Sequence, residues 1–278
     1  MIIKNFFFDI LKNLLSRYDL IIVKKNIIDF NKNFNLSKLK LSNQNIVKNF
    51  KISNLITTAG KRLGSFEDPY YFALKKSLPI KNKKSFTISF VKKIKSIVKS
   101  PRTASEAIKL IKSKKLSLYP EWALVLPWED ISIEENYNTY MNIFFSKRKK
   151  LKKLGKYIRK KERDKIIYHN LAWESHAEQY YNLYNKMIKK GFKKINYIPA
   201  YLFRYKNQFR FSLADDGNHR IRTAYVLGFK SIPLKILKIV DLENLNNWLN
   251  VKNGLYTRKE AKKIFINYFN YKGSGSYV

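Results

Sequence analysis

The residues best suited to chemistry in this chain stand side by side as Asp216-Gly217-Asn218-His219-Arg220. A strand pattern over residues 209–214 leads into this stretch, and a helical pattern follows it as far as Gly228. A strand that stops at a glycine and enters a helix leaves unpaired backbone N–H groups at the helix N terminus, where the helix dipole also favours an anion. The stretch, named here the 216–220 turn, therefore predicts a phosphate site.

Each side chain of the 216–220 turn has a chemical use. Gly217 permits close approach of the backbone to an anion, and Arg220 can clamp a phosphate bidentately. His219 would donate a hydrogen bond or a proton, and Asp216 could hold Mg²⁺ or orient a hydroxyl group. The structural alternative is that Asp216 caps the helix while His219 and Arg220 pair with nearby carboxylates.

The elements around the turn are predicted from periodicity and breakers. Residues 174–190 have a helical pattern that ends at Gly191, a position typical of a left-handed C-cap. Residues 198–204 and 209–214 form a predicted hairpin around a short polar connection. A last strand is predicted over residues 232–240.

This order of elements and residues resembles the ParB/sulfiredoxin superfamily, whose motif reads D-G-x-H-R, then a helix of small residues, L-G and a strand opened by I-P. The resemblance covers about residues 172–241, a quarter of the chain, and Lys190-Gly191-Phe192 resembles the end of the family's preceding helix. The residues that match in register are Asp216, Gly217, His219, Arg220, Ala224, Leu227, Gly228, Ile232 and Pro233.

Departures from the best-known members narrow what the resemblance implies. Sulfiredoxins need a cysteine in the motif, and this chain has none, which excludes sulfinic-acid reduction. Chromosome-partition proteins carry a long helix-turn-helix domain after the motif, for which the remaining forty or so residues leave no room. Other members resemble free-serine kinases, so the resemblance implies a phosphotransferase that uses ATP or another NTP with Mg²⁺ on a small hydroxyl or sugar-type substrate.

In that reading, the nucleotide phosphates lie on Gly217, Asn218 and Arg220, and His219 supports the transferring group. One carboxylate must position or deprotonate the acceptor hydroxyl, and another must hold Mg²⁺. Asp216 is the first candidate, for metal and for catalysis. Glu174 and Glu178, one helical turn apart on the helix before the hairpin, are the next candidates, whereas His176 between them is interpreted as a surface or interface residue.

The charge of the chain suggests an anionic partner. With 57 Lys and Arg against 20 Asp and Glu, the net charge is +37, which attracts nucleic acid, anionic membrane and phosphorylated metabolites alike. Residues 69–105 contain no acidic residue, and the dense basic stretch 147–165 either binds phosphates or is a solvated linker. The alternative functions are therefore a ParB-like nucleic-acid-binding protein or nuclease and a catalytically silent nucleotide sensor. The candidate contacts to nucleic acid or membrane are Lys149, Lys150, Lys152 and Lys153.

The beginning of the sequence predicts an amphipathic helix that either packs on the protein or lies in a membrane interface. No apolar run there approaches the length of a membrane span, so we expect a cytoplasmic protein, with peripheral contact at the inner face of the membrane as an option. This helix and the stretch 18–25 together resemble the openings of enzymes from surface-polysaccharide gene clusters.

Three further motifs have mainly structural interpretations. Residues 60–65 lack the spacing of a phosphate loop and indicate a plain turn. The apolar stretch 122–126 indicates a buried strand, and Glu129 and Asp130 after it are helix caps or metal ligands. Ser132 and Glu135 form a predicted capping box.

The predicted architecture is α/β or α+β, with a mainly helical N-terminal region and a small mixed-sheet ParB/sulfiredoxin-like domain. Residues 26–60, within the N-terminal region, indicate irregular or weakly helical structure. A helix near 241–249 and another opened by the capping box of Thr257 and Glu260 are expected after the last strand. The predicted segments are 1–25, the amphipathic helix; 26–168, a basic helical region; 169–245, the domain; and 246–278, a helix with a loose tail.

Overall fold

A computed structural model describes the fold of most of the chain. The predicted N-terminal amphipathic helix, the candidate contacts from Lys149 to Lys153 and the C-terminal tail lie outside the described residues. The described residues are 27–29, 46–58, 60–64, 68–78, 82–98, 103–147, 165, 170–192, 197–214 and 216–272.

Six strands among these residues form one mixed sheet in the order β1-β2-β6-β4-β5-β3. The pairs β1–β2, β4–β6 and β3–β5 are parallel, and the pairs β2–β6 and β4–β5 are antiparallel. The strand bounds are β1 Ile27–Asp29, β2 Ile46–Lys51, β3 Leu55–Ile56, β4 Ile198–Tyr205, β5 Gln208–Leu213 and β6 Ser231–Asp241.

Helices pack around this sheet, so the structure is of the α+β class that the sequence predicts. The α-helices of the described residues are α1 Pro69–Ser77, α2 Lys83–Ile97, α3 Ala104–Ile108, α4 Lys114–Ser117, α5 Ile133–Lys147, α6 Asn170–Lys190, α7 Asn218–Val226, α8 Leu249–Lys252 and α9 Arg258–Phe269. No helix among the described residues is both long and apolar enough to cross a membrane.

The two faces of the sheet have separate cores because successive residues of a strand point to opposite sides. On β4, Ala200 and Leu202 join the core that also contains Ile221 and Ala224 of α7. Phe203 points to the other side, into a core built around Trp128 and α9. A third cluster, between α1, α2 and α6, places the helices α1 and α6 beside α7.

The hairpin, the two glycine C-caps and the last strand predicted around the 216–220 turn are all present in the structure. The hairpin β4–β5 closes through Lys206 and Asn207, both in the left-handed region (φ 47° and 57°), as a two-residue hairpin turn requires. Gly191 and Gly228 have positive φ just after α6 and α7, where C-caps are predicted. The chain then returns along β6, parallel to β4.

Three predictions are wrong in whole or in part. The described residues of the range 26–60 form β1, β2 and β3 and one 3-10 turn, where irregular or weakly helical structure was expected. Short strands with polar neighbours are stabilised here by pairing, β2 with β6 and β3 with β5. The stretch 122–126 is a 3-10 helix, Glu121–Ala123, followed by extended chain outside the sheet, although Val125 is buried. The predicted helix 241–249 is a 3-10 helix, Leu242–Asn247, capped by the Asp241 side chain.

Local capping predictions agree better with the structure. Thr257 and Glu260 form the predicted capping box of α9. Ser132 accepts a hydrogen bond from the Glu135 backbone N–H at the start of α5 (3.1 Å). The segment that includes Gly60 makes a tight turn, in which Thr57 N–H donates to the Lys61 carbonyl (2.7 Å).

Gly64→Ala tests how the turn preceding α1 packs on α7. Gly64 (φ +80°) and Gly191 (φ +65°) both have left-handed backbone, so alanine costs about 1–2 kcal/mol of strain at either position. A Cβ on Gly64 would lie 1.9 Å from Cε1 of Tyr225, whereas a Cβ on Gly191 meets nothing within 4 Å. We expect Gly64→Ala to lower the free energy of unfolding by about 1–3 kcal/mol more than Gly191→Ala in urea denaturation. Equal losses would contradict this packing.

Candidate functional site

The 216–220 turn is built where β5 ends beside the start of β4. Ala214 N–H donates to the Pro199 carbonyl (3.1 Å), and Gly217 takes φ +96°, a conformation that favours glycine. A Cβ on Gly217 would lie 3.2 Å from both Cδ1 and Cγ2 of Ile198. Backbone conformation and close packing on β4 therefore both require glycine here.

Gly217 is the N-cap of α7, and no described side chain caps the helix there. The first helical hydrogen bond is donated by Ile221 N–H to the Gly217 carbonyl (2.9 Å). Asp216 precedes the cap and does not serve as one, contrary to the structural alternative. The first turn of α7 thus keeps the anion-favouring character that the sequence predicts.

Arg220 and Asp216 form an ion pair across the first turn of α7, with Arg220 Nη2 3.1 Å from Asp216 Oδ2. This part of the structural alternative is found. The Asp216 side chain is 84% exposed and that of Arg220 is 23% exposed. Exposed pairs of this kind contribute about 0–1 kcal/mol, so both groups can exchange partners at little cost.

His219 is paired with His176, which the sequence did not identify as part of the site. Nε2 of His219 lies 2.8 Å from Nδ1 of His176, on the facing side of α6. His176, interpreted from the sequence as a surface or interface residue, thus lies at the interface between α6 and α7. Both rings are only partly exposed.

The two imidazole rings lie edge to edge. Their planes differ by only 12° and their centroids are 5.0 Å apart. Face-to-face rings could not bring two nitrogens to 2.8 Å, whereas coplanar rings joined through one nitrogen each have this centroid separation. The nitrogen lone pair lies in the ring plane, so the arrangement suits a straight N–H···N hydrogen bond.

Tyrosines and a buried ion pair surround the histidines. The Tyr180 ring lies 4.6 Å from the His219 ring, and the Tyr70 ring lies edge-on to His176 at 5.4 Å. Arg222 places its guanidinium 5.3 Å from the Tyr70 ring centroid. The residues that join α1, α6 and α7 in this way, named here the three-helix cluster, are Asp68, Tyr70, His176, Tyr180, His219 and Arg222.

Asp68 and Arg222 make the buried ion pair of this cluster, with Arg222 Nε 2.7 Å from Asp68 Oδ2 and side chains only 4% and 11% exposed. Burial opposes the charge of Arg222, but Asp68 and Tyr180 raise the Arg222 pKa above its ordinary value. Burial raises the pKa of Tyr180 to about 12, although the charge of Arg222 acts in the opposite direction. At neutral pH the cluster therefore contains the Arg222 cation and a protonated Tyr180 phenol.

The other candidate carboxylates lie outside the 216–220 turn. Glu178 of α6 is 3.8 Å from Lys83, and Glu174 is half-buried on the same helix. Asp130 pairs with Lys238 (2.6 Å), and Glu129 accepts from Leu126 N–H. These contacts are structural but are not the predicted helix caps, since Ser132 takes that role at the start of α5. Among the described residues no three His, Asp or Glu side chains gather as a ready metal site.

Mg²⁺ nevertheless fits the donor set at the turn if the nucleotide supplies most of the ligands. Mg²⁺ is commonly bound by one or two carboxylates together with substrate phosphates and water. Asp216 offers one exposed carboxylate, and its partner Arg220 can move to a phosphate. Asp216 is thus the residue that would hold the ion.

Sequence reasoning identified the 216–220 turn and missed the residues behind it. His176 and Arg222 each lie beside an apolar residue in their helices, and Asp68 is the N-cap of α1. The partners of all three are distant in sequence and give no periodic signal. One signal was present: His176 lies next to Ala177 and one turn before Tyr180, on the edge of the buried stripe of α6. A polar ring at such an edge is suited to packing against another helix.

Comparison of the chain with models of protein families, with curated proteins and with solved structures finds no match. The geometry of the described residues is therefore the basis of the functional argument.

Asp68→Asn tests whether the buried ion pair holds the cluster together. The amide keeps a hydrogen-bond acceptor for Tyr71 N–H but leaves Arg222 as an unpaired buried charge. We expect the free energy of unfolding in urea to fall by about 3 kcal/mol. In the matched control Asp130→Asn, which removes a 75% exposed partner of Lys238, the loss should be below about 1 kcal/mol. Similar losses of unfolding free energy in both variants would show that the buried pair stabilises the fold no more than an exposed pair does.

Proposed function

We propose that the protein is an NTP- and Mg²⁺-dependent phosphotransferase that acts on a small hydroxyl or sugar-type substrate, with the 216–220 turn as its phosphate site. The observation that supports this best is the convergence of three features at one helix N terminus. No described side chain caps α7 at Gly217, Arg220 supplies a cation in the first turn of the helix, and His219 lies between Asn218 and Arg220 in the same turn. Anions are favoured at such a terminus.

The order of elements also supports a ParB/sulfiredoxin-like arrangement. Helix α6, the β4–β5 hairpin, the turn, α7 and β6 follow one another as in the motif that the sequence resembles. The turn falls at the end of a sheet strand, the usual place for ligands in sheets flanked by helices. We place this activity in the cytoplasm, where nucleoside triphosphates are made, and in surface-polysaccharide metabolism.

The residues would divide the work as follows. Backbone groups of Gly217 and Asn218 and the guanidinium of Arg220 hold the nucleotide phosphates, and Asp216 holds Mg²⁺, which neutralises phosphate charge when bound. The acceptor oxygen forms a bond to the terminal phosphorus while the bond from phosphorus to the bridging oxygen breaks. The hydroxyl proton passes to a base, for which His219, Glu174 and Glu178 are the candidates.

A nucleic-acid-binding protein or nuclease is the second candidate, favoured by the surface of α1 and α2. These helices carry no acidic residue, and most of their lysines are exposed. Phosphate contacts by lysine make affinity fall steeply with salt. Salt-sensitive DNA binding without nucleotide turnover would support this candidate. Nucleotide binding with neither DNA binding nor turnover would support a silent sensor.

Arg220→Ala should weaken nucleotide binding. The variant removes a charge-assisted clamp, so we expect the Kd for ATP with Mg²⁺, measured by calorimetry, to rise about tenfold to a hundredfold. Arg258→Ala is the matched control, because it removes the same charge from an exposed position at the start of α9. An unchanged Kd in Arg220→Ala, or an equal rise in both variants, would place the phosphate site elsewhere.

Asp216→Asn should separate nucleotide binding from turnover. The change is nearly isosteric and releases Arg220 from its partner, so binding of ATP without Mg²⁺ should stay the same or tighten. Mg²⁺-dependent phosphoryl transfer to a panel of hydroxyl acceptors should be lost, because the carboxylate that holds the ion is gone. The control is Asp130→Asn, which alters another exposed, paired aspartate. Full turnover in Asp216→Asn would remove Asp216 from the mechanism.

A further inference from the structure

The contact between α6 and the 216–220 turn goes beyond what the motif contains. His176 lies 43 residues before His219, on α6, the helix that precedes the hairpin and whose end resembles the family's preceding helix. The resemblance assigns it no part, and neither does the proposed function. Its Nδ1 is nevertheless within hydrogen-bond distance of His219 Nε2.

We propose that His176 is the positioning residue of His219: it fixes the ring orientation of His219 and decides which of its two nitrogens carries the proton. The inference deepens the proposed function and rests on it for its effect on turnover. The geometry itself does not depend on the reaction.

Proton counting gives the pair a defined chemistry. Two neutral imidazoles carry one proton each, and the shared hydrogen bond needs a donor on one side and an acceptor on the other. When His176 Nδ1 donates, His219 Nε2 is the acceptor and its proton is on Nδ1. When His219 Nε2 donates, His219 Nδ1 is unprotonated and the proton of His176 is on Nε2. The tautomers of the two rings are thus linked, and the role taken by His176 Nδ1 sets whether His219 presents a donor or an acceptor at Nδ1.

Packing holds both rings where this control is effective. Tyr180 lies against His219, and Tyr70 lies against His176. Arg222, locked by Asp68, packs on Tyr70. A rotation of either ring would break the nearly coplanar contact, so the hydrogen bond and the tyrosines reinforce each other.

The pair can also share a proton during transfer. A proton accepted at His219 Nδ1 lets the Nε2 proton move to His176 Nδ1, after which His176 carries the imidazolium charge and His219 is neutral with its proton on Nδ1. One proton enters and the positive charge increases by one, so the step balances. His219 can then act as a base without retaining the charge beside the phosphates.

Nuclear magnetic resonance of ring nitrogens tests the pair directly. The chain has three histidines, so ¹⁵N-histidine labelling of the whole protein gives a simple spectrum. We expect a through-hydrogen-bond coupling between His176 Nδ1 and His219 Nε2 and nitrogen shifts that indicate one dominant His219 tautomer. In His176→Phe, which keeps a planar ring beside Tyr70 but has no nitrogen, His219 should become a mixture of tautomers. Unchanged His219 shifts in this variant would overturn the proposal.

Kinetics provide the second measurement. His176→Phe should lower kcat about tenfold to a hundredfold while the KM for ATP stays within about twofold, since general acid–base catalysis contributes about this much or more. His176→Asn, whose amide can hydrogen bond near the place of Nδ1, should restore a single tautomer and part of kcat. His176→Leu substitutes if the phenylalanine variant does not fold. Unchanged kcat, or a KM that rises as much as in Arg220→Ala, would overturn the positioning role.

The two proposals fail in different ways. If Arg220→Ala leaves ATP affinity unchanged, or the wild type transfers phosphate to no acceptor, the phosphotransferase is wrong, and the ring-nitrogen spectra alone decide whether His176 fixes His219. If ATP binding and turnover behave as proposed but the spectra show no coupling between the histidines, the positioning role of His176 is wrong and the phosphotransferase proposal stands.

Discussion

The buried ion pair of Asp68 and Arg222 is the interaction on which the arrangement of the site depends. One Asp68 oxygen accepts from Tyr71 N–H and starts α1, while the other binds Arg222 of α7. The two residues are 154 positions apart, so the pair joins the residue before α1 to α7, where the phosphate site is proposed. A single buried guanidinium thereby sets the distance between α1 and α7. Because an unpaired buried charge is strongly unfavourable, the pair also excludes alternative packings of these helices.

The sheet and the helices position different parts of the site. The sheet determines the backbone, since β5 ends beside β4 and Gly217 packs on Ile198. The helices determine the side chains, since α6 supplies His176 and Tyr180 to the ring of His219. In the first turn of α7, the sheet therefore positions the backbone and the neighbouring helices position the side chains. A site placed on regular elements in this way is held more rigidly than one placed on loops.

Acidic residues are scarce in a chain of net charge +37, and their partners show how they are used. Asp68, Asp130 and Asp241 each bind a basic residue on a distant element, Arg222, Lys238 and Arg204 respectively. Asp216 differs, because its partner is only four residues away and both are accessible. A pair within one helical turn adds little to the tertiary fold. Removal of Asp216 should therefore cost the fold little, which suits a functional role.

Local patterns in the sequence determined the hairpin, its two-residue turn, the glycine C-caps, the capping box of α9 and the 216–220 turn, because each depends on residues a few positions apart. Strands β1, β2 and β3 could not be predicted in this way, since β3 has two residues and β2 is stabilised by pairing with β6, far along the chain. The same holds for His176, Asp68 and Arg222, whose partners are 43 and 154 residues away. The sequence alone predicted a place for an anion at the 216–220 turn. Only the tertiary structure decided which side chains support that place, because burial and contact between helices depend on the packing of the whole fold.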